Sequence, residues 1–131
     1  MKRKSIRIAT DAQACPGGPT LGAAGLVEMK AKVQANGDVD ALAEFFAVAG
    51  NSHRLRILLY LTEADELCVC DLAELLDMGM TAVSAHLNKM KLQGVLKSRR
   101  DAQMIYYSIA DRERMKVLGK AFADLRKAMN L

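Results

Sequence analysis

Apolar residues recur along this chain with the period of a helix, then of a strand, then of a helix again. Leu26, Met29 and Val33 stand three and four apart and predict a helix over residues 21–35. Asn36-Gly37-Asp38 breaks it. Asp38 can cap a second helix running to about Gly50, with Leu42, Phe45, Phe46 and Ala49 on one stripe. Asn51-Ser52 caps a third, whose inner face is Leu55, Leu58, Leu59 and Leu61, leaving Arg54 and Arg56 on a solvated or phosphate-facing side. A short fourth helix runs from Asp71 to Asp77, with Leu72, Leu75 and Leu76 facing inward. Asp71 and Glu74 have the spacing of a capping box with Asp71 at the cap. Met78-Gly79-Met80 is a turn into a fifth helix, about Met80 to Gln93, which buries Val83, Leu87 and Met90 and stops at Gly94.

The period then changes to two. Ile105, Tyr107 and Ile109 alternate with Met104, Tyr106 and Ser108, so residues 95–100 and 103–109 read as two strands joined at Asp101-Ala102. Asp111 caps the last helix, where Met115, Leu118, Phe122, Leu125 and Met129 form a seam suited to a partner helix. The expected fold is mainly α with a small β-hairpin. Two short helices, a tight turn and a basic hairpin make a winged helix-turn-helix within a domain spanning residues 21–131. Residues 1–20 are expected to be a flexible arm: Lys2, Arg3, Lys4 and Arg7 are basic, and Ala14-Cys15-Pro16-Gly17-Gly18-Pro19 continues neither helix nor central strand.

Composition narrows the class. A chain of 131 residues suits one domain. No apolar run approaches the roughly 18 residues that cross a bilayer, and the basic N-terminus lacks an apolar signal core. A cytoplasmic protein with no membrane partner is expected. Nineteen Lys and Arg against fifteen Asp and Glu give a net charge of +4, which permits DNA binding without demonstrating it. Three cysteines is an odd count. It argues against a closed disulfide framework and suits reduced thiols or thiolate ligands.

The second helix of a helix-turn-helix lies in the major groove. Opposite Val83, Leu87 and Met90, helical geometry places Thr81, Ala85 and Asn88, flanked by Ser84 and Lys89. Asn can pair bidentately with adenine, and Ser or Thr can reach bases or phosphates. Lys89, Lys91, Lys97, Arg99 and Arg100 would neutralise phosphates, giving affinity rather than sequence choice. His86 lies about 60° from the buried stripe, at the edge of the helix, where it can pack and touch phosphate. Double-stranded DNA is the expected partner.

Cys68 and Cys70 precede this unit directly. If residues 68–70 are extended, both thiols project to one side. If they are helical, the thiols diverge by about 200°. Soft ions prefer thiolate ligands, and the only other cysteine is Cys15 in the Pro-Gly-rich arm. Cys15, Cys68 and Cys70 are therefore a candidate three-sulfur site for a soft metal or metalloid ion: arsenite, cadmium, lead or mercury. A free Cys15 and a buried, inert Cys68-Cys70 pair are the competing readings. The same thiols could instead sense oxidants or persulfide on the same fold.

Several segments resemble the ArsR/SmtB family of metal-sensing repressors over about residues 40–112. They are Ser52-His53-Arg54-Leu55-Arg56-Ile57-Leu58, Glu66-Leu67-Cys68-Val69-Cys70-Asp71-Leu72-Ala73, Val83-Ser84-Ala85-His86-Leu87, and Gly94-Val95 followed by Tyr106-Tyr107-Ser108. The resemblance implies a homodimer built on the first and last helices, bound to an inverted-repeat operator and weakened by ligand. It also implies that the arm carrying Cys15 can come from the partner chain. Three features depart from the family: Ala73 stands where arsenite-sensing members often have a third cysteine, the last helix has no histidine, and Ala102 occupies a wing-turn position usually held by Gly.

An enzyme is not expected. The Cys-x-x-Cys spacing of thiol–disulfide exchange is absent, as is a glycine-rich phosphate loop, and neither histidine has an evident nucleophile beside it. No protein substrate is expected either.

Overall fold

The computed structural model describes residues 16–131. Backbone contacts divide the described residues into two compact units, one ending at Asp40 and the other spanning residues 41–131. In the first, helix α1 (Gly22–Gln34) matches the predicted one within a residue at each end. It buries none of its residues, so Leu26, Met29 and Val33 form an apolar stripe that stays exposed.

The second unit holds helices α2 (Val39–Ala49, all but its first two residues), α3 (Ser52–Glu63), α4 (Val69–Leu76), α5 (Met80–Leu92) and α6 (Arg112–Ala128). A three-stranded antiparallel sheet of β1 (Leu67–Cys68), β2 (Leu96–Asp101) and β3 (Met104–Ile109) completes it, in the order β1-β3-β2. Its core is Ile57, Leu58 and Leu61 of α3, Leu72 and Leu76 of α4, Val83, Leu87 and Met90 of α5, and Tyr107 and Ile109 of β3. Each large apolar side chain so buried stabilises the fold by about 1.5–3 kcal/mol. This is the winged helix-turn-helix that the pattern predicts. Among the described residues no helix is long and apolar enough to cross a membrane.

Two inward positions are corrected. Leu75 is exposed, because the eight-residue α4 reaches the core through Leu72, Ala73 and Leu76 and leaves Leu75 on its flank. Leu59 is also exposed: Ile57, Leu58 and Leu61 are the buried face of α3. Leu55 and Leu59 instead join Phe46, Met115, Phe122 and Leu125 along an open apolar groove of about 900 Å³ between α2, α3 and α6.

Helix ends explain a third correction. Asn51 caps α3 as expected, its side chain accepting from the amides of His53 (3.0 Å) and Arg54 (3.1 Å). Arg54, expected on a solvated or phosphate-facing side, turns back instead. Its Nε donates to the Val48 carbonyl at 2.6 Å and its Nη2 to that of Ala47 at 3.3 Å. The last carbonyls of a helix lack intrahelical partners and carry the negative end of its dipole, so a guanidinium is favoured there. Asp111 caps α6 by accepting from the Arg114 amide at 3.0 Å.

The hairpin turn lies one residue later than expected. Asp101 pairs with Met104, which leaves Ala102-Gln103 as the two-residue turn, with Ala102 at φ +56°. The hairpin also gains a third strand, for Leu67 pairs with Tyr107 and Cys68 with Tyr106.

Candidate thiol site and nucleic-acid interface

Cys68 is the last extended residue before α4 (φ −81°, ψ 168°), and the helix starts at Val69. Its Sγ accepts a hydrogen bond from the Asp71 amide at 3.4 Å, while the Asp71 carboxylate accepts from the Cys68 amide at 3.3 Å. This is a capping box in which a thiol takes the place normally held by Ser or Thr. The sequence expectation of Asp71 at the cap with Glu74 as its partner is thereby corrected. The box sits three residues earlier, and Asp71 is its second member. Asp71 sits in the first turn, where a carboxylate is also favoured by the helix dipole.

The pair is neither fully extended nor fully helical. Cys68 closes the strand and Cys70 lies in the first helical turn. Cys68 is buried and Cys70 is exposed, and both are free thiols. Burial pushes the Cys68 thiol above its ordinary pKa. The Asp71 carboxylate and Cys70 push the same way, against the lowering effect of the Asp71 amide. The net effect favours the protonated thiol, whose proton a thiophilic ion must displace. Among the described residues no three His, Cys, Asp or Glu side chains cluster as a metal site. Cys15 lies outside the described residues, so the structure places two of the three predicted sulfurs at one helix start.

On α5 the predicted division holds. Val83, Leu87 and Met90 are buried. Thr81, Ala85, Asn88, Lys89 and Lys91 are exposed, and Ser84 and His86 are half-buried. Lys91 Nζ donates to Ser98 Oγ at 2.8 Å, tying the end of this helix to β2. Lys97 and Arg100 are exposed on β2. The His86 ring lies against that of His53, with centroids 5.8 Å apart and planes at 37°. Burial, then the charges of Arg54, His53 and Lys89, hold His86 below the ordinary histidine pKa.

Arg99, predicted to meet a phosphate, has protein partners. It donates to both carboxylate oxygens of Glu66, from Nε at 3.1 Å and from Nη2, and its guanidinium lies 4.7 Å above the centre of the Tyr106 ring. The fork geometry of Arg suits this bidentate grip. Arg99 holds the Glu66 carboxyl below the usual carboxylate range. Sequence reasoning missed Glu66. The signal available was its place two residues before Cys68, but its partner is 33 residues away, and only the sheet register joins them.

Comparison with known proteins agrees with this geometry. Residues 51–98 match the family described as bacterial regulatory protein, arsR family. The cadmium resistance transcriptional regulatory protein CadC of Listeria innocua is 40% identical over 75 residues, which cover 57% of this chain and 63% of that protein. The chain thus aligns with less than two thirds of that relative's length. A CadC homolog of Staphylococcus aureus is 30% identical over 90 residues, covering 69% of this chain and 74% of that one. Among solved structures, the homodimeric winged helix-turn-helix DNA-binding domain of a possible ArsR-family regulator from Mycobacterium bovis superposes with a TM-score of 0.60. Its identity is 30%, over 68% of this chain and 85% of that one. Fold, helix-turn-helix face and sequence agree: the chain belongs to the arsR family of bacterial regulatory proteins.

Proposed function

We propose that the chain is a metal-responsive transcriptional repressor. It binds an operator as a homodimer and releases it when Cys68 and Cys70 hold a soft metal or metalloid ion, with Cys15 as the third sulfur. The observation that carries this reading is the position of Cys68, whose sulfur is both the cap of α4 and a candidate ligand. The donor set fits: thiolates suit arsenite, cadmium, lead and mercury and disfavour hard ions. Such an ion supplies a soft Lewis acid that replaces the thiol protons.

The chain's own residues do the rest. Cys68 and Cys70 have opposite exposure, so bringing both sulfurs to one centre asks the first turn of α4 to move. That turn packs through Leu72 and Ala73 into the core that also seats Val83 and Leu87 of α5. Thr81, Ser84, Ala85, His86 and Asn88 face the groove. Lys89, Lys91, Arg99 and Arg100 lie toward the phosphates. A second copy is supported by α6, where Met115 is buried but Leu125 and Met129 on the same seam are exposed.

The test is release from a duplex selected on the metal-free, reduced protein out of a random-sequence pool. Cadmium, lead, mercury and arsenite are each expected to weaken binding by about 5- to 150-fold, the ordinary range of an allosteric coupling. Magnesium and calcium are expected to leave it unchanged. Release by peroxide or persulfide with no response to any of the soft ions would replace this reading with thiol-redox sensing.

A further inference from the structure

We infer that Glu66 is a positioning residue that ties the hairpin wing to the strand carrying Cys68, so that a change at the thiols is delivered to Arg99. The inference rests on the metal-responsive reading above and names the route by which the signal leaves the site.

Three observations converge on it. The first is register: Cys68 and Arg99 both pair with Tyr106, from opposite sides of β3, so the thiol strand and the basic strand of the wing meet at one residue. The second is the grip itself. Both oxygens of Glu66 accept from Arg99, and Arg99 stacks on the Tyr106 ring, so the guanidinium is fixed at its end and on its face. The third is the shortness of β1. Two residues pair it with β3, and the Glu66–Arg99 contact extends that attachment across the whole width of the sheet to β2.

Movement of Cys68 therefore carries Glu66, two residues before it, and Glu66 carries Arg99. A planar guanidinium held bidentately follows its carboxylate in orientation as well as position. Arg99 is one of the wing cations proposed to meet phosphate, so its displacement changes how the wing seats on a duplex. A carboxylate on this face also competes with phosphate for Arg99, which makes the balance between the two partners sensitive to small shifts of β1.

The test compares wild type with Glu66→Gln as full-length reduced protein, using the selected duplex with and without cadmium. Cadmium uptake is followed separately by the ultraviolet absorbance of the cadmium–thiolate bond. The readout is the ratio of affinities with and without cadmium, which a uniform gain from removing an acid near DNA does not alter. Glu66→Gln is expected to take up cadmium with wild-type stoichiometry and to lose most of the cadmium-induced drop in DNA affinity. Arg99→Gln is expected to lose it as well, from a lower starting affinity. A Glu66→Gln protein that binds cadmium and releases DNA as wild type does would overturn the inference and leave the metal-responsive reading standing. Failure of Glu66→Gln to take up cadmium would also overturn it, by placing Glu66 at the thiols rather than on the route out. Failure of wild type itself to respond would remove the reading on which the inference rests.

Discussion

Cys68 and Asp71 cap each other: the Cys68 sulfur accepts the Asp71 amide at 3.4 Å and the Asp71 carboxylate accepts the Cys68 amide at 3.3 Å. One sulfur atom therefore closes the first helix of the helix-turn-helix and stands as a candidate ligand. Structure and signal can be separated by substitution. Cys68→Ser supplies a hydroxyl, among the best N-cap groups, and should hold the stability of the fold. Cys68→Ala removes the acceptor and should cost about 0.5–2 kcal/mol in a urea melt. Equal midpoints for the alanine and serine proteins would mean the thiol is not acting as a cap.

The wing turn stores a small strain. Ala102 adopts φ +56°, a left-handed conformation that costs a residue with a Cβ about 1–2 kcal/mol. Glycine relieves this but loses more entropy on folding. Ala102→Gly is expected to raise stability by about 0.5–1 kcal/mol net, read as a higher urea midpoint at an unchanged slope. A lower midpoint would show that the turn is held by contacts of the alanine methyl.

Stability should depend on pH through His86. Its folded pKa is depressed, first by burial and then by Arg54, His53 and Lys89. As pH falls through the ordinary histidine value of about 6.5, the unfolded chain takes up a proton before the folded one does. The contribution of a neutral His86 is therefore complete above that pH and is lost progressively below it, down to the lower folded value. The thermal midpoint of wild type should fall more steeply between about pH 7 and pH 5 than that of His86→Gln. Parallel profiles would contradict this.

The two kinds of DNA contact proposed for α5 predict different behaviour. Asn88 is exposed at the centre of the outward face of α5 and can read a base edge. Asn88→Ala should cost about 1–3 kcal/mol on the selected duplex and little on random DNA. Lys91 spends one donor on Ser98 but keeps its charge. Lys91→Ala should weaken binding to all sequences alike and lower the slope of log affinity against log salt by about one. Loss of sequence preference in Lys91→Ala would reverse the assignment.

Much of the fold and of the site is legible in the sequence alone. The spacing of Val83, Leu87 and Met90 identified the buried stripe of α5, and the opposite face follows from helical geometry alone. The alternation from Met104 to Ile109 likewise showed the hairpin. The cap of α4 is not legible in the sequence, because Asp71-x-x-Glu74 has the expected box spacing and cysteine is not an ordinary cap residue. Strand β1 is two residues long, too short to show a period. Leu59 and Leu75 have the right spacing for their stripes, but spacing does not say which edge of a stripe the neighbouring elements cover. Arg54 and Arg99 read as free cations because their partners, a helix end and a carboxylate on another strand, are supplied only by the tertiary fold.

The most direct measurement is the affinity of the selected duplex for reduced wild-type and Cys68→Ser proteins, each with and without saturating cadmium. The account predicts equal affinities without metal, a drop of about 5- to 150-fold for wild type on adding cadmium, and no drop for Cys68→Ser. Release of DNA by cadmium from Cys68→Ser to the same extent as from wild type would contradict it.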